Sequence, residues 1–245
     1  MNLPSTLRRH GAAALLAFAA AIHLPATAAL ELPGAAPQAP AVLPDYASVR
    51  VNAFFQTRKN EPMALAFARL DKIDTYLAAL RVHAGNPAPR FNSEAQRIQA
   101  RSDVVLLANA LARITATPDI SPELLLRAGI ALSLADNLGA AEASALADAR
   151  FTRLLALTPA NGEALYEYGV HLVNTGRPSD AQAPLRSALA KGNAEARWPL
   201  ALSLAALGQR DAAIAELDAL QAASPAAAQR YPLAATLASW RATPN

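Results

Sequence analysis

Few side chains in this sequence are of a type that does chemistry, and their spacing limits what that chemistry can be. Beyond residue 28 there are two histidines, His83 and His171. His171 follows Glu167 by one helical turn, the spacing that sets an imidazole beside a carboxylate. One such pair falls short of a metal centre, which needs three or four ligands, and it reads as a pair on a solvated face. His83 stands at the end of a predicted helix, where a cation complements the carbonyl dipole. The carboxylate pairs Asp71/Asp74 and Glu163/Glu167 also fall at helical spacing. General acid–base work needs a pocket that shifts their pKa values, and nothing in the surrounding sequence marks one. HExxH, GxSxG, the phosphate-binding GxxxxGK[ST] and GxGxxG are all absent from the sequence. The expectation is a protein that is not an enzyme, with no catalytic, cofactor-binding or metal-ligating residues.

The composition asks for helices. The chain has 245 residues, 53% hydrophobic but only 5% aromatic. Its apolar content is dominated by Ala and Leu, strong helix formers that let helices approach closely. Residues 1–28 read as a signal peptide: Arg8 and Arg9 precede the apolar run 11–24, and Ala26-Thr27-Ala28 forms a small-residue cleavage site. The run is too short to span a bilayer comfortably. Removing it leaves 20 basic and 19 acidic side chains, a net charge of +1, so the high isoelectric point of the whole sequence is not a nucleic-acid footprint. No nucleic-acid partner and no stable membrane insertion after cleavage are expected. There is no cysteine for a disulfide or a lipid anchor. These features point to a bacterial periplasm.

Residues 29–45 hold Pro33, Pro37, Pro40 and Pro44 among small residues and read as an extended linker. Residues 46–120 are expected to form an N-terminal helical hairpin. Within it, 46–60 alternate like a strand but have no predicted strand to pair with, so a short helix burying Phe54 and Phe55 is expected. A helix over 61–83 carries Met63, Phe67, Leu70, Ile73, Leu77 and Leu80 on one face and stops at Gly85-Asn86-Pro87. A second, over about 93–115, is capped by Ser93 and presents Ile98, Val105, Leu106, Ala108, Leu111 and Ile114.

The remaining sequence repeats. Residues 162–193 and 194–225 superimpose with a 32-residue offset that brings Gly176 onto Gly208, Ala181 onto Ala213 and Ala188 onto Leu220. A third copy, 121–161, opens with Ser121-Pro122 and carries about six extra residues around 136–142. Gly129, Gly169 and Ala201 are small where two helices must cross, and Ala147, Ala181 and Ala213 are the facing positions. Gly176 and Gly208 supply the left-handed residue that ends a helix. Pro184 and Pro199 are expected to be tolerated near a first turn. Residues 226–245 provide a capping helix, with Leu233, Leu237 and Trp240 facing the last copy.

In these copies the chain resembles the tetratricopeptide repeat family. The resemblance rests on Leu165, Tyr168-Gly169, Leu172, Ala181 and Leu185 in the middle copy. The last copy matches at Leu200-Ala201, Leu204, Ala213, Leu217 and Pro225, and the first at Leu125, Ala128-Gly129, Leu132, Ala147, Phe151 and Pro159. Gly192-Asn193 replaces the exit proline of the middle copy. The resemblance implies an all-α, right-handed solenoid of stacked helix-turn-helix hairpins, with a concave groove lined by the first helix of each pair. Glu163, Tyr166, Val170 and Asn174 would face that groove, joined by Glu195, Trp198, Leu202 and Ala205, and by Leu126, Ile130 and Ser133. Tyr166 and Trp198 occupy equivalent positions and look like aromatic anchors for a peptide. Glu163 and Glu195 favour an apolar or basic segment. The implied function is a non-catalytic periplasmic scaffold or adaptor that binds a protein or peptide in a cell-envelope assembly. An envelope enzyme or regulatory subunit acting on peptidoglycan or polysaccharide is one alternative. A structural homo-oligomer, its groove filled by its own arm at 29–45, is another.

Overall fold

Apolar residues at three- and four-residue spacing, interrupted by glycine, fold into a succession of α-helices, three of them capped by Ser93, Ser121 and Asn161. The computed structural model describes residues 43–56, 67–85, 89–117, 120–224, 226 and 230–242. The expected signal peptide, most of the Pro-rich linker, Met63 and the predicted helix start at Glu61-Pro62 lie outside them. The helices are α1 (Leu70–Ala84), α2 (Glu94–Ile114), α3 (Pro122–Asn137), α4 (Ala143–Leu157), α5 (Gly162–Asn174), α6 (Pro178–Ala190), α7 (Arg197–Ala206), α8 (Arg210–Ala223) and α9 (Leu233–Ala242). The fold is all-α. Among the described residues its extended pairing is one short antiparallel match, β1 (Phe55–Gln56) with β2 (Phe67–Ala68).

From α3 onward the helices come in pairs, α3/α4, α5/α6 and α7/α8, each lying against the next. The small residues at the crossings explain the close approach. A Cβ on Gly169 would sit 2.5 Å from the Leu185 side chain, and one on Gly129 would sit 2.8 Å from the Phe151 ring. Both glycines therefore meet the large residue of the second helix in the same register. Ala201, Ala147, Ala181 and Ala213 are fully buried. The first helix of each pair ends in the same motif. Gly176 and Gly208 take φ values of +71° and +74°. The next amide reaches back to a helix carbonyl, Arg177 N–H to Leu172 O at 2.9 Å and Gln209 N–H to Leu204 O at 2.9 Å. Gly139 repeats this in the first copy, with Ala140 N–H donating to Ala135 O at 2.9 Å. The extra length of that copy is shared between longer helices and a turn in which Glu142 adopts φ +63°.

Pro184 lies in the interior of α6, not in a first turn as expected, while Pro199 does fall in the first turn of α7. Leu233, Leu237 and Trp240 are buried in α9, which lies against α8. The core forms two clusters, Val51 to Ala164 and Leu172 to Trp240, with Tyr168 against both.

The N-terminal region departs from the expected hairpin. Both α1 and α2 lie against α3, whereas segment 43–56 runs between them. A 3-10 turn at Val51–Phe54 buries Val51 and Phe54, and Phe55 is buried beside it. The strand that 46–60 seemed to lack is Phe67–Ala68, so α1 starts at Leu70 and Phe67 is not part of its face. The stripe of α2 is also rotated from the expected one. Ala100, Val104, Leu107, Ala108, Leu111 and Ile114 are buried, while Ile98 and Leu106 are exposed. The core side of α2 must meet both α3 and the inserted segment, and Asp103 lies on it.

Candidate functional site

The first helices of the pairs carry the residues expected to line a groove, and both ends of that strip are covered. At the N-terminal end, Leu126, Ile130 and Ser133 of α3 are buried, and α1 lies against α3. Asp74 of α1 takes an ion pair from Arg127 of α3 at 2.5 Å, and Arg81 of α1 reaches Glu167 of α5 at 2.8 Å. The half-buried Arg81 guanidinium is held above its ordinary pKa: the Glu167 carboxylate beside it outweighs the cost of desolvation.

At the C-terminal end the chain covers Trp198 with its own Tyr231. The two rings stack with centroids 4.8 Å apart and planes 11° from parallel, and Trp198 is 3% exposed. The Tyr231 hydroxyl donates to Glu195 Oε2 at 2.9 Å, and Arg230 forms an ion pair with the other oxygen of Glu195. Tyr166 shares a side-chain hydrogen bond with Tyr231, and burial raises the pKa of both phenols. The two expected anchors thus belong to one cluster whose third aromatic is the chain's own. Leu202 is buried too. Between the covered ends, Glu163 is exposed and Tyr166, Val170 and Asn174 of α5 are half-buried. The Trp198 indole nitrogen and the Asn174 side-chain oxygen are buried without hydrogen-bond partners among the described residues.

This arrangement corrects the expectation of an open anchor at Trp198. The position opposite Trp198 is filled, and its occupant comes from the segment just before α9. The described end of the N-terminal arm goes elsewhere: Asp45 accepts from Asn92 Nδ2 at 2.9 Å and Gln96 Nε2 at 2.7 Å, which docks that end of the expected linker on α2. Asp103 anchors the segment next to it. Its carboxylate accepts from the Tyr46 hydroxyl at 2.9 Å, the Val49 amide at 3.2 Å and Gln99 Nε2 at 2.8 Å.

His83 lies in the last turn of α1, as expected, whereas His171 is not on a solvated face. His83 is buried, stacked on Phe91 at 5.2 Å and edge-on to Tyr46 at 5.9 Å. At that helix end it is packed into the N-terminal core and is not solvent-exposed. His171 is fully buried at the seam between α3, α4 and α5. Its Nδ1 lies 3.1 Å from Ser133 Oγ, and its Nε2 lies 3.6 Å from Asp148 Oδ1. Its expected neighbour Glu167 binds Arg81 instead. Desolvation depresses the imidazole pKa to about 4, against the pull of Asp148 and with the push of Arg177. The ring is therefore neutral at pH 7, and its approach to Asp148 is not an ion pair. Asp148 is paired with Arg177 at 2.9 Å.

Ser133, His171 and Asp148 are the residue types of a nucleophile, base and orienting acid. Their geometry is that of a structural tie: the serine meets Nδ1 in a buried seam where no substrate carbonyl can reach it. Sequence reasoning missed Asp103, Arg81 and Tyr231. The first two are charges engaged by tertiary contacts, Asp103 buried and Arg81 half-buried, which helical periodicity cannot foresee. Tyr231 had a signal, an Arg-Tyr-Pro stretch breaking the helical pattern before α9. Among the described residues there is no group of three or more His, Cys, Asp and Glu that could hold a metal ion. No helix there is long and apolar enough to cross a membrane. No protein-family model, no curated protein and no solved structure matches the chain.

Proposed function

We propose that this chain is an exported, periplasmic adaptor of the tetratricopeptide type, which holds a protein partner along the first helices of its repeats and performs no catalysis. The observation that carries this reading is the strip on α5, where Glu163 is exposed and Tyr166, Val170 and Asn174 are half-buried between two covered ends. A half-buried aromatic and a valine beside an acidic rim suit an apolar or basic peptide segment. The repeated crossings Gly129–Phe151 and Gly169–Leu185 support the family reading, because they place its small and large positions face to face. Arg8, Arg9, the apolar run 11–24 and Ala26-Thr27-Ala28 support export, with cleavage after Ala28.

A photoreactive amino acid at Val170, in the full-length chain expressed in a Gram-negative host, tests the partner. Irradiation of intact envelopes is expected to capture one predominant protein, and the same probe at the exposed Gln221 of α8 is not. Equal, diffuse labelling from both positions would contradict the reading. Mass measurement of the exported protein is expected to show a chain beginning at Ala29. An uncleaved cytoplasmic chain would remove the periplasmic assignment.

A further inference from the structure

The contacts around Trp198 define a recognition site more closely than the repeat pattern does, because the chain has already placed a ligand in it. Trp198 offers a flat indole face, and Tyr231 lies on it at 4.8 Å. Glu195 receives two groups at once, the Tyr231 hydroxyl at 2.9 Å and the Arg230 guanidinium. Tyr166 adds a hydrogen bond to the same tyrosine. A single carboxylate next to an aromatic shelf therefore reads a cation and an aromatic hydroxyl on adjacent residues. Among the described residues the buried Trp198 indole N–H has no hydrogen-bond acceptor. The Arg230 side chain is 59% exposed, and the apolar anchoring of α9 comes from Leu233, Leu237 and Trp240, which follow it. Tyr231 can therefore lift without unseating that helix.

We propose that the Trp198–Glu195–Tyr166 site recognises a basic residue followed by an aromatic one, presented by an extended segment of a partner protein. In the free chain Arg230-Tyr231 occupies the site as an internal mimic. The inference rests on the adaptor reading and names the partner chemistry of one end of its groove. A tethered segment competes at an effective concentration in the millimolar range, so partner binding is weakened until the partner outcompetes it.

The probe is a fluorescein-labelled peptide, Ala-Gln-Arg-Tyr-Pro-Leu-Ala, titrated against the full exported chain by fluorescence anisotropy. Tyr231→Ala is expected to bind it at least about tenfold more tightly than the unaltered chain. Arg230→Glu, a change at an exposed side chain, is expected to give a smaller gain and decides the matter if Tyr231→Ala does not fold. Glu195→Gln in the Tyr231→Ala background, and peptides with Ser in place of Arg or of Tyr, are expected to reverse the gain. Two folded variants that bind no better than the unaltered chain would overturn the inference. So would a Tyr231→Ala chain that becomes a dimer by light scattering, since the occupant would then be a second copy. If the peptide fails while Val170 still captures an envelope protein, this inference falls and the adaptor reading stands.

Discussion

The pairs α5/α6 and α7/α8 and the pair α1/α2 bury comparable helices by opposite means. In the first two, small residues face large ones across the crossing, with Gly169 under Leu185 and the fully buried Ala201 and Ala213 in α7 and α8. Nothing separates the helices, and a three-residue turn around Gly176 or Gly208 closes the pair. In α1/α2 no small-residue crossing exists, and segment 43–56 fills the gap with Tyr46, Phe54 and Phe55. A close crossing is a local code that short-range spacing can write. A splayed pair needs an insert from elsewhere in the chain and a polar anchor to hold it, here the buried carboxylate of Asp103.

Breaking a crossing should cost the most. Gly169→Leu drives a side chain into the fully buried Leu185, and an overpacked core of this kind loses about 3 kcal/mol. Chemical denaturation should show the loss. An unchanged midpoint would mean that the crossing is not close. The same substitution at Gly176, where a Cβ meets nothing within 4 Å but φ is +71°, should cost less, through backbone strain alone.

The seam between the two regions should respond to pH. His171 binds its proton with a pKa of about 4 in the folded chain, against an ordinary value of 6.5. The unfolded chain therefore holds more protons between those values. Stability is unaffected above pH 6.5 and falls as the pH drops toward 4, by about 2 kcal/mol at pH 5. Asp136 acts in the opposite sense, because burial raises its carboxyl pKa in the folded chain. His171→Gln isolates the histidine contribution. Its melting temperature should change less between pH 7 and pH 5 than that of the unaltered chain. An equal change in both would remove His171 as the cause.

A smaller effect is expected at the inserted segment. Tyr46→Phe removes the donor to Asp103 and should cost about 1 kcal/mol. The loss should be confined to the N-terminal region.

What could be read from the sequence follows the same division. The repeat register, the turns at Gly176 and Gly208, the Ser93 and Ser121 caps and the apolar face of α9 were legible, because each depends on neighbours within a few residues. The α2 stripe was misphased because Ile98 and Leu106 fit helical periodicity as well as the buried Val104 and Leu107 do, and only the tertiary partner decides. His171 looked like a surface residue because Glu167 stands one turn away, yet its real neighbours Ser133 and Asp148 lie 38 and 23 residues back. Tyr166 and Trp198 were found as a pair, since equivalent repeat positions mark them. Their cover by Tyr231 was not, because a single residue between helices carries no periodic signal.

The difference between the two regions is most directly measured by hydrogen exchange with mass spectrometry on the chain and its Tyr46→Ala/Phe54→Ala variant. The amides of α1 and α2 should lose protection while those of α5 through α8 keep theirs, because the later pairs close on their own small-residue crossings. A uniform loss across all helices, or none in α1 and α2, would contradict this account.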